Sequence, residues 1–196
     1  MDKYDFSFTG FSLRVNDMLK VAEAASQGNY FERVDFGEGN SNTGKRRLNE
    51  INKRLNVLTK EENEVFVDAD LTTQKQIAFL SVCKAHSFIR DFVVEVLREK
   101  LLIFDYEISE GEYISFYRRK SDLHPEMNDL TEITQNKIKQ VTFKILEQAG
   151  IIDNVKFKTI QPQLLSDKVV TTIAKDDRQW LKIFLISDMD IENTKI

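Results

Sequence analysis

Cysteine, proline and glycine are scarce in this 196-residue chain, which contains one, two and seven of them. A single cysteine excludes an internal disulfide and is typical of a protein in a reducing cytosol. So few prolines and glycines argue against a turn-rich β-sandwich and favour long helices. With only two histidines, a structural zinc site would also need carboxylate ligands.

Long apolar runs are missing as well. No stretch approaches the roughly 20 residues that are needed to span a bilayer. The first residues, MDKYDFSFTG, do not place a cationic region before an apolar core, so they do not resemble a signal peptide. We therefore expect a cytoplasmic protein that does not associate with membranes.

The composition suits a helical bundle with solvated surfaces. Hydrophobic residues make up 41% of the chain and charged residues 31%, with a net charge of −4. We predict an all-α fold, a multi-helix bundle in two packed helical units. The expected units are 1–70, which contains a basic helix, and 71–196.

Local signals predict where several helices begin and end. Ser12 is expected to cap a helix that runs to about Gln27, and Thr59 is expected to form a capping box with Glu62. Ser109 is expected to open another helix, and Gly150 to end a helix that starts near Asn128. Residues 29–44 are rich in glycine and asparagine and are typical of a mobile loop.

The stretch 41–60, SNTGKRRLNEINKRLNVLTK, predicts the basic helix. Leucine and isoleucine recur there at three- and four-residue steps, which forms an apolar stripe. The opposite, solvent-facing side is expected to carry five cations: Lys45, Arg46, Arg47, Lys53 and Arg54. A cationic face on an acidic protein suits a polyanion such as a phosphate backbone. The alternative is an ordinary solvated helix surface.

A second basic group lies further along the chain. Its members are Arg118, Arg119, Lys120, Lys137, Lys139 and Lys144. Residues 109–160 are compatible with a winged helix-turn-helix, in which VKFKTI, near 154–160, would form a small β-wing. The alternative is a packed helical hairpin without a role in DNA binding.

No catalytic or metal-binding motif is recognisable. Cys83 and His86 have the spacing of metal ligands on a helix, but the only other histidine is His124 and no second cysteine exists. A buried cysteine and a helix-end histidine are the simpler interpretation. Because nucleophile, phosphate-loop and dinucleotide motifs are also missing, we expect a protein that is not an enzyme and binds no metal or cofactor.

Five segments, taken in order, resemble the BrxA family. They are Thr9-Gly10, KRRLNEINKRLNVLT (45–59), VLREKLLIFDYEIS (96–109), the region Lys137–Gln140 with KILEQAGII (144–152), and IQPQLL (160–165). The resemblance extends over nearly the whole chain. Each segment is a helix-face pattern, and none is a catalytic signature.

The resemblance implies a small component of BREX, the bacteriophage exclusion systems of bacteria and archaea. BREX operons also encode a methyltransferase, an ATPase and a phosphatase-like protein, which would be partners. BrxA-like proteins are associated with DNA binding, and their fold looks like that of the NusB antitermination factors. The residues that match the family pattern on the basic helix are Lys45, Arg46, Arg47, Lys53 and Arg54. The Gly- and Asn-rich loop at 29–44 departs from that pattern.

These observations leave three expected functions open. The first is a non-catalytic accessory protein that binds double-stranded DNA. The second is an adaptor that contacts only other defence proteins through its basic face. The third is an RNA-binding protein that acts like an antitermination factor.

Overall fold

Helices make up most of the protein in a computed structural model that describes residues 3–28 and 41–194. In chain order they are α1 (Val15–Ser26), α2 (Ser41–Asn56), α3 (Lys60–Asp68), α4 (Leu71–Ala85), α5 (Ser87–Phe92), α6 (Glu99–Leu102), α7 (Glu110–Leu123), α8 (Glu132–Ala149), α9 (Asp167–Asp177) and α10 (Asp188–Glu192). A π-helical turn, Val93–Arg98, joins α5 to α6. The prediction of an all-α fold is confirmed.

The local capping signals act as the sequence predicts. Thr59 accepts a hydrogen bond from the backbone of Glu62, whose carboxylate accepts one from the backbone of Thr59 at 2.8 Å. Ser109 and Glu112 form the same capping box at the start of α7. Gly150 ends α8 with a φ of 76°, which glycine adopts without a steric cost.

The start of α1 differs from the prediction. The helix begins at Val15, after Arg14 in a left-handed conformation, so Ser12 is not its cap. The backbone N–H of Leu13 donates instead to Gln148 at 2.9 Å, and the carbonyl of Ser12 accepts from Arg54 at 2.8 Å. These two long-range hydrogen bonds keep Ser12 and Leu13 out of helix α1.

Helix α2 begins inside the loop that the sequence predicts for residues 29–44, because Ser41 to Gly44 already belong to the helix. The remainder, 29–40, lies outside the described residues.

The N-terminal segment, residues 3–14, packs across the helices. A short 3₁₀ turn within it, Ser7–Gly10, contacts both α2 and α8. Tyr4 donates a hydrogen bond to Asp91 at 2.7 Å, and its ring stacks on His124 with 3.7 Å between centroids. Phe8 is completely buried. The segment is thus part of the folded body, and its placement shapes the surface beside α8.

Aromatic side chains from several helices form the centre of the core. Phe116 of α7 lies 5.4 Å from Phe88 and 5.0 Å from Phe92, measured between ring centroids. Phe92 also meets Phe143 of α8 edge to face. Each fully buried phenylalanine contributes about 1.5–3 kcal/mol of transfer free energy. Nearly all buried apolar residues between Tyr4 and Ile191 in the described part of the chain belong to one hydrophobic cluster.

The prediction of a β-wing near 154–160 is wrong. Among the described residues these positions form no strand, and only isolated bridges pair Glu107 with Thr159 and Ile152 with Ile160. The side-chain oxygen of Asn154 accepts the backbone N–H groups of Lys156 and Phe157, at 2.9 and 2.8 Å. These local bonds compete with strand pairing and produce a turn.

Candidate nucleic-acid interface

The basic helix α2 presents only part of its charge to solvent. Lys45 and Arg46 are exposed, while Arg47 is half-buried. Lys53 forms an ion pair with Asp5 of the N-terminal segment. The charge available to a polyanion on α2 is therefore concentrated toward the start of the helix.

The prediction that Arg54 lies on the exposed face is wrong, because its side chain is 1% exposed. At about 100° per residue, Arg54 lies only about 60° around the helix from Ile51, so it borders the apolar stripe. Its Nε donates to Glu50 at 2.8 Å, and its guanidinium also donates to the carbonyls of Ser12 and Leu13. Arg54 anchors the N-terminal segment and cannot reach a ligand at the surface.

Glu50 joins Arg54 in a buried polar network. Its Oε1 lies 2.6 Å from Nε2 of His86, and its Oε2 accepts a hydrogen bond from Ser7 at 2.9 Å. Burial alone would raise the pKa of Glu50, but the hydrogen bond from His86 and the charge of Arg54 outweigh it and lower the pKa to about 2. The carboxylate is therefore ionised and fully occupied by partners.

The three cations of α7 differ in their exposure and in their charged neighbours. Arg118 and Arg119 are exposed, and Arg119 lies 3.8 Å from Glu95. Lys120, which the sequence groups with the candidate nucleic-acid contacts, is instead buried and forms ion pairs with Asp91 and Glu95. The two carboxylates that neutralise its charge belong to the helical run 87–102, which is distant from Lys120 in the sequence.

The three lysines of α8 have different side-chain partners. Lys137 donates to the side chain of Gln140 at 3.1 Å. Lys139 pairs with Glu110 of α7, and Lys144 pairs with Glu147 of α8. Lys137, Lys139 and Lys144 all line the same groove.

This cationic groove, of about 660 Å³, runs between the N-terminal segment, α8 and the turn at 155–158. Its basic lining residues are Arg14, Lys137, Lys139, Lys144 and Lys158, and Glu110 is its one acidic lining residue within the described part of the chain. Thr9, Gly10, Phe11 and Ser12 of the N-terminal segment form one wall. Such a surface attracts anions, and ammonium and guanidinium groups are suited to phosphate oxygens.

Sequence reasoning missed two residues of the cationic groove, Arg14 and Lys158. Both have left-handed backbones, with φ of 57°, an uncommon conformation for residues other than glycine. Arg14 lies 3.3 Å from Asp17, and the Nζ of Lys158 lies 5.3 Å from the centre of the Phe143 ring. Thr9-Gly10 and Lys137–Gln140, two of the family-like segments, contribute residues to this groove. Neither segment contains Arg14 or Lys158, so no signal in the sequence indicated these two residues.

The groups considered for metal or nucleophilic chemistry are used inside the fold. Cys83 is completely buried, and burial raises the pKa of its thiol. His86 contacts Glu50, and His124 stacks on Tyr4. Over residues 3–28 and 41–194, no group of three or more His, Cys, Asp or Glu side chains is placed to hold a metal ion. In the same residues, no helix is both long and apolar enough to cross a membrane.

The fold and the groove define an all-α protein with a cationic cleft bordered by its own N-terminal segment. A family model described as BrxA matches residues 2–177. The chain therefore belongs to the BrxA family.

Relatives that carry the name BREX protein BrxA are similar to this chain. The protein from Bacillus cereus strain H3081.97 is 28% identical over 105 residues, which cover 53% of this chain and 52% of the relative. The protein from Escherichia coli O9:H4 strain HS is 23% identical over 140 residues, which cover 71% of this chain and 66% of the relative. The aligned regions thus span between half and two thirds of these relatives.

A solved structure shows the same fold. The crystal structure of an uncharacterized protein from Magnetospirillum magneticum aligns with a TM-score of 0.79 at 19% sequence identity. The alignment covers 94% of this chain and 98% of that one. The similarity therefore extends over the whole architecture.

Proposed function

We propose that this protein is a non-catalytic accessory component of a BREX phage-defence system and that it binds the sugar–phosphate backbone of double-stranded DNA. The observation that carries the proposal is the cationic groove, where five basic residues and one acidic residue form the charged lining. The name of the similar relatives, BREX protein BrxA, supports the system in which the protein acts.

The groove would hold phosphates rather than read bases. Lysine and arginine contacts to phosphate position a protein on DNA without sequence information and release bound counterions. Lys137 and Lys158 form no ion pair with any described residue, so neither must first give up a carboxylate partner. Lys139 and Lys144 would exchange their carboxylates for phosphates.

Other cations that are at least partly exposed extend this proposal beyond the groove. On α2 the candidate contacts are Lys45, Arg46, Arg47 and Lys53, and on α7 they are Arg118 and Arg119. Arg54 and Lys120 are removed from the proposal because both are buried in ion pairs. In the cytoplasm, the bound protein would act beside the other BREX proteins, namely the methyltransferase, the ATPase and the phosphatase-like subunit.

A charge-reversal experiment with a matched control tests the groove. The double variant Lys137→Glu, Lys158→Glu should raise the Kd for a duplex oligonucleotide at least about tenfold at low salt and reduce the salt slope by about two. The double variant Lys168→Glu, Lys175→Glu changes the net charge equally, on exposed positions of α9, and should bind nearly as the unmodified protein does. Fluorescence anisotropy over a salt series measures both.

Equal loss of binding in the two double variants would show that net charge, and not the groove, controls affinity. If the unmodified protein does not bind duplex DNA even at low salt, the DNA proposal is wrong. The adaptor function, in which the basic surface contacts an acidic partner protein, would then replace it.

A further inference from the structure

Three aromatic side chains are exposed to solvent on two segments, one of which borders the cationic groove. Phe104, Phe157 and Tyr106 are 79%, 63% and 37% exposed. We call these three residues the aromatic rim. A single exposed apolar residue is ordinary, but several large aromatic residues on neighbouring segments indicate an interaction surface.

Backbone hydrogen bonds place the rim beside the groove. The N–H of Ile160 donates to the carbonyl of Tyr106 at 2.7 Å, and the N–H of Ile108 donates to the carbonyl of Lys158 at 3.3 Å. The segment that carries Phe104 and Tyr106 is therefore paired with the segment that follows Phe157. Two neighbours of Phe157 in sequence, Val155 and Lys158, line the groove itself.

The turn that presents Phe157 is held by its own hydrogen bonds. Asn154 accepts the N–H of Phe157 at 2.8 Å, and Asp153 accepts the N–H groups of Asn154 and Thr159 at 2.6 and 2.8 Å. The Nζ of Lys156 lies 5.1 Å from the centre of the Phe157 ring. The backbone of the turn is thus held in place, with a cation beside the ring, so binding costs little backbone freedom at this position.

We propose that the aromatic rim stacks on unpaired bases of a DNA strand whose phosphates lie in the cationic groove. This inference rests on the proposed function and adds a preference for DNA that contains unpaired bases. In a fully paired duplex the base faces are covered by their neighbours, whereas an unpaired base offers its face to an aromatic ring. Cationic grooves with exposed aromatic residues bind single strands in this way, with stacking that tolerates any base.

The lysines beside the aromatic rim distinguish between two possible partners, an apolar protein surface and a nucleic acid strand. An apolar protein partner would have to cover or neutralise Lys156 and Lys158, which form no ion pair with any described residue. A nucleic acid strand uses the same two groups as phosphate contacts. The combination of exposed rings and unneutralised cations therefore favours a strand with unpaired bases.

The test compares two DNA probes with the same number of phosphates, a fully paired duplex and the same duplex with a central unpaired bubble. Fluorescence anisotropy at one salt concentration gives both Kd values. We expect the unmodified protein to bind the bubble on the order of tenfold more tightly. Phe157→Ala should reduce this preference severalfold and leave duplex affinity unchanged, and Phe157→Trp should retain it.

Leu164→Ala is the matched control, because Leu164 is 90% exposed and lies on a different segment, next to α4. It should keep the full preference for the bubble. Because Phe157 is mostly exposed, none of these variants should change the melting temperature appreciably, which circular dichroism checks.

Equal affinity for the two probes in the unmodified protein would overturn the inference, as would a preference that Phe157→Ala leaves unchanged. Tight duplex binding without a bubble preference contradicts only the role of the rim and leaves the groove proposal intact. Failure to bind either probe contradicts the proposed function itself.

Discussion

Arg54 donates from Nε to the Oε1 atom of Glu50 at 2.8 Å, and both side chains lie almost entirely inside the protein. The pair occupies successive turns of α2 and faces the N-terminal segment. Arg54 also binds the carbonyl groups of Ser12 and Leu13, directly before Arg14 of the cationic groove. A buried ion pair on one helix thus positions the chain that forms one wall of the groove.

Removing the buried charge of Arg54 should destabilise the fold. We expect Arg54→Met to lower the free energy of unfolding by about 3–5 kcal/mol, because Glu50 would remain buried without its guanidinium partner. Urea denaturation at neutral pH measures the change. The double variant Arg54→Met, Glu50→Leu should recover part of the loss, since it leaves no unpaired carboxylate.

Lys53→Met is the matched control for this prediction. Lys53 precedes Arg54 on the same helix, but it is one third exposed and pairs with Asp5 at the surface. Exposed ion pairs contribute roughly 0–1 kcal/mol, so the control should be nearly as stable as the unmodified protein. Equal destabilisation by the two substitutions would contradict the structural role of Arg54.

Acid should weaken the fold through Glu50. Its pKa is lowered from 4.5 to about 2 in the folded protein, so its contribution is complete above pH 4.5 and is lost as the pH falls toward 2. The contribution amounts to about 3 kcal/mol. Urea denaturation between pH 7 and pH 2.5 should show a steeper acid loss in the unmodified protein than in Glu50→Gln.

Glu64→Gln provides the comparison for the acid series, because Glu64 is 61% exposed and lies 3.8 Å from Lys60. This variant should lose stability in acid in parallel with the unmodified protein. If Glu50→Gln also follows the unmodified protein in parallel, the Glu50 network does not control the acid response.

Two glycines should respond to alanine with opposite signs. Gly150 has a φ of 76° at the end of α8, and a left-handed alanine costs about 1–2 kcal/mol. Gly111 is the second residue of α7, where an added Cβ would meet only Ser109 at 3.9 Å, and alanine there should stabilise by about 0.4–1 kcal/mol because it restricts the unfolded chain. Thermal unfolding of Gly150→Ala and Gly111→Ala measures both, and a stabilised Gly150→Ala would contradict the backbone argument.

Most helix limits could be predicted because they depend on residues a few positions apart. The Thr59–Glu62 capping box and the stop at Gly150 need only local hydrogen bonds and local backbone sterics. The prediction failed where a distant partner intervenes. Ser12 does not cap α1 because its carbonyl is bound by Arg54, from 42 positions further along the chain.

The exposure of individual cations was less predictable than the helices that carry them. Lys120 lies on a predicted helix, but whether its charge is neutralised depends on Asp91 and Glu95, which are 29 and 25 positions away. For Arg54, its position beside the apolar stripe of α2 was a local indication that the side chain is buried. For Lys120 we find no comparable signal in the sequence.

By itself the sequence determined the all-α class, the basic character of α2 and α8, the capping of α3 and α7 and the end of α8, since these follow from composition, periodicity and short-range bonds. Only the tertiary structure decided which cations share a surface. Arg14 and Lys158 join Lys137, Lys139 and Lys144 because the N-terminal segment packs on α8, where Leu13 binds Gln148 across 135 positions. Such a contact depends on the packing of the whole core, which no local pattern specifies.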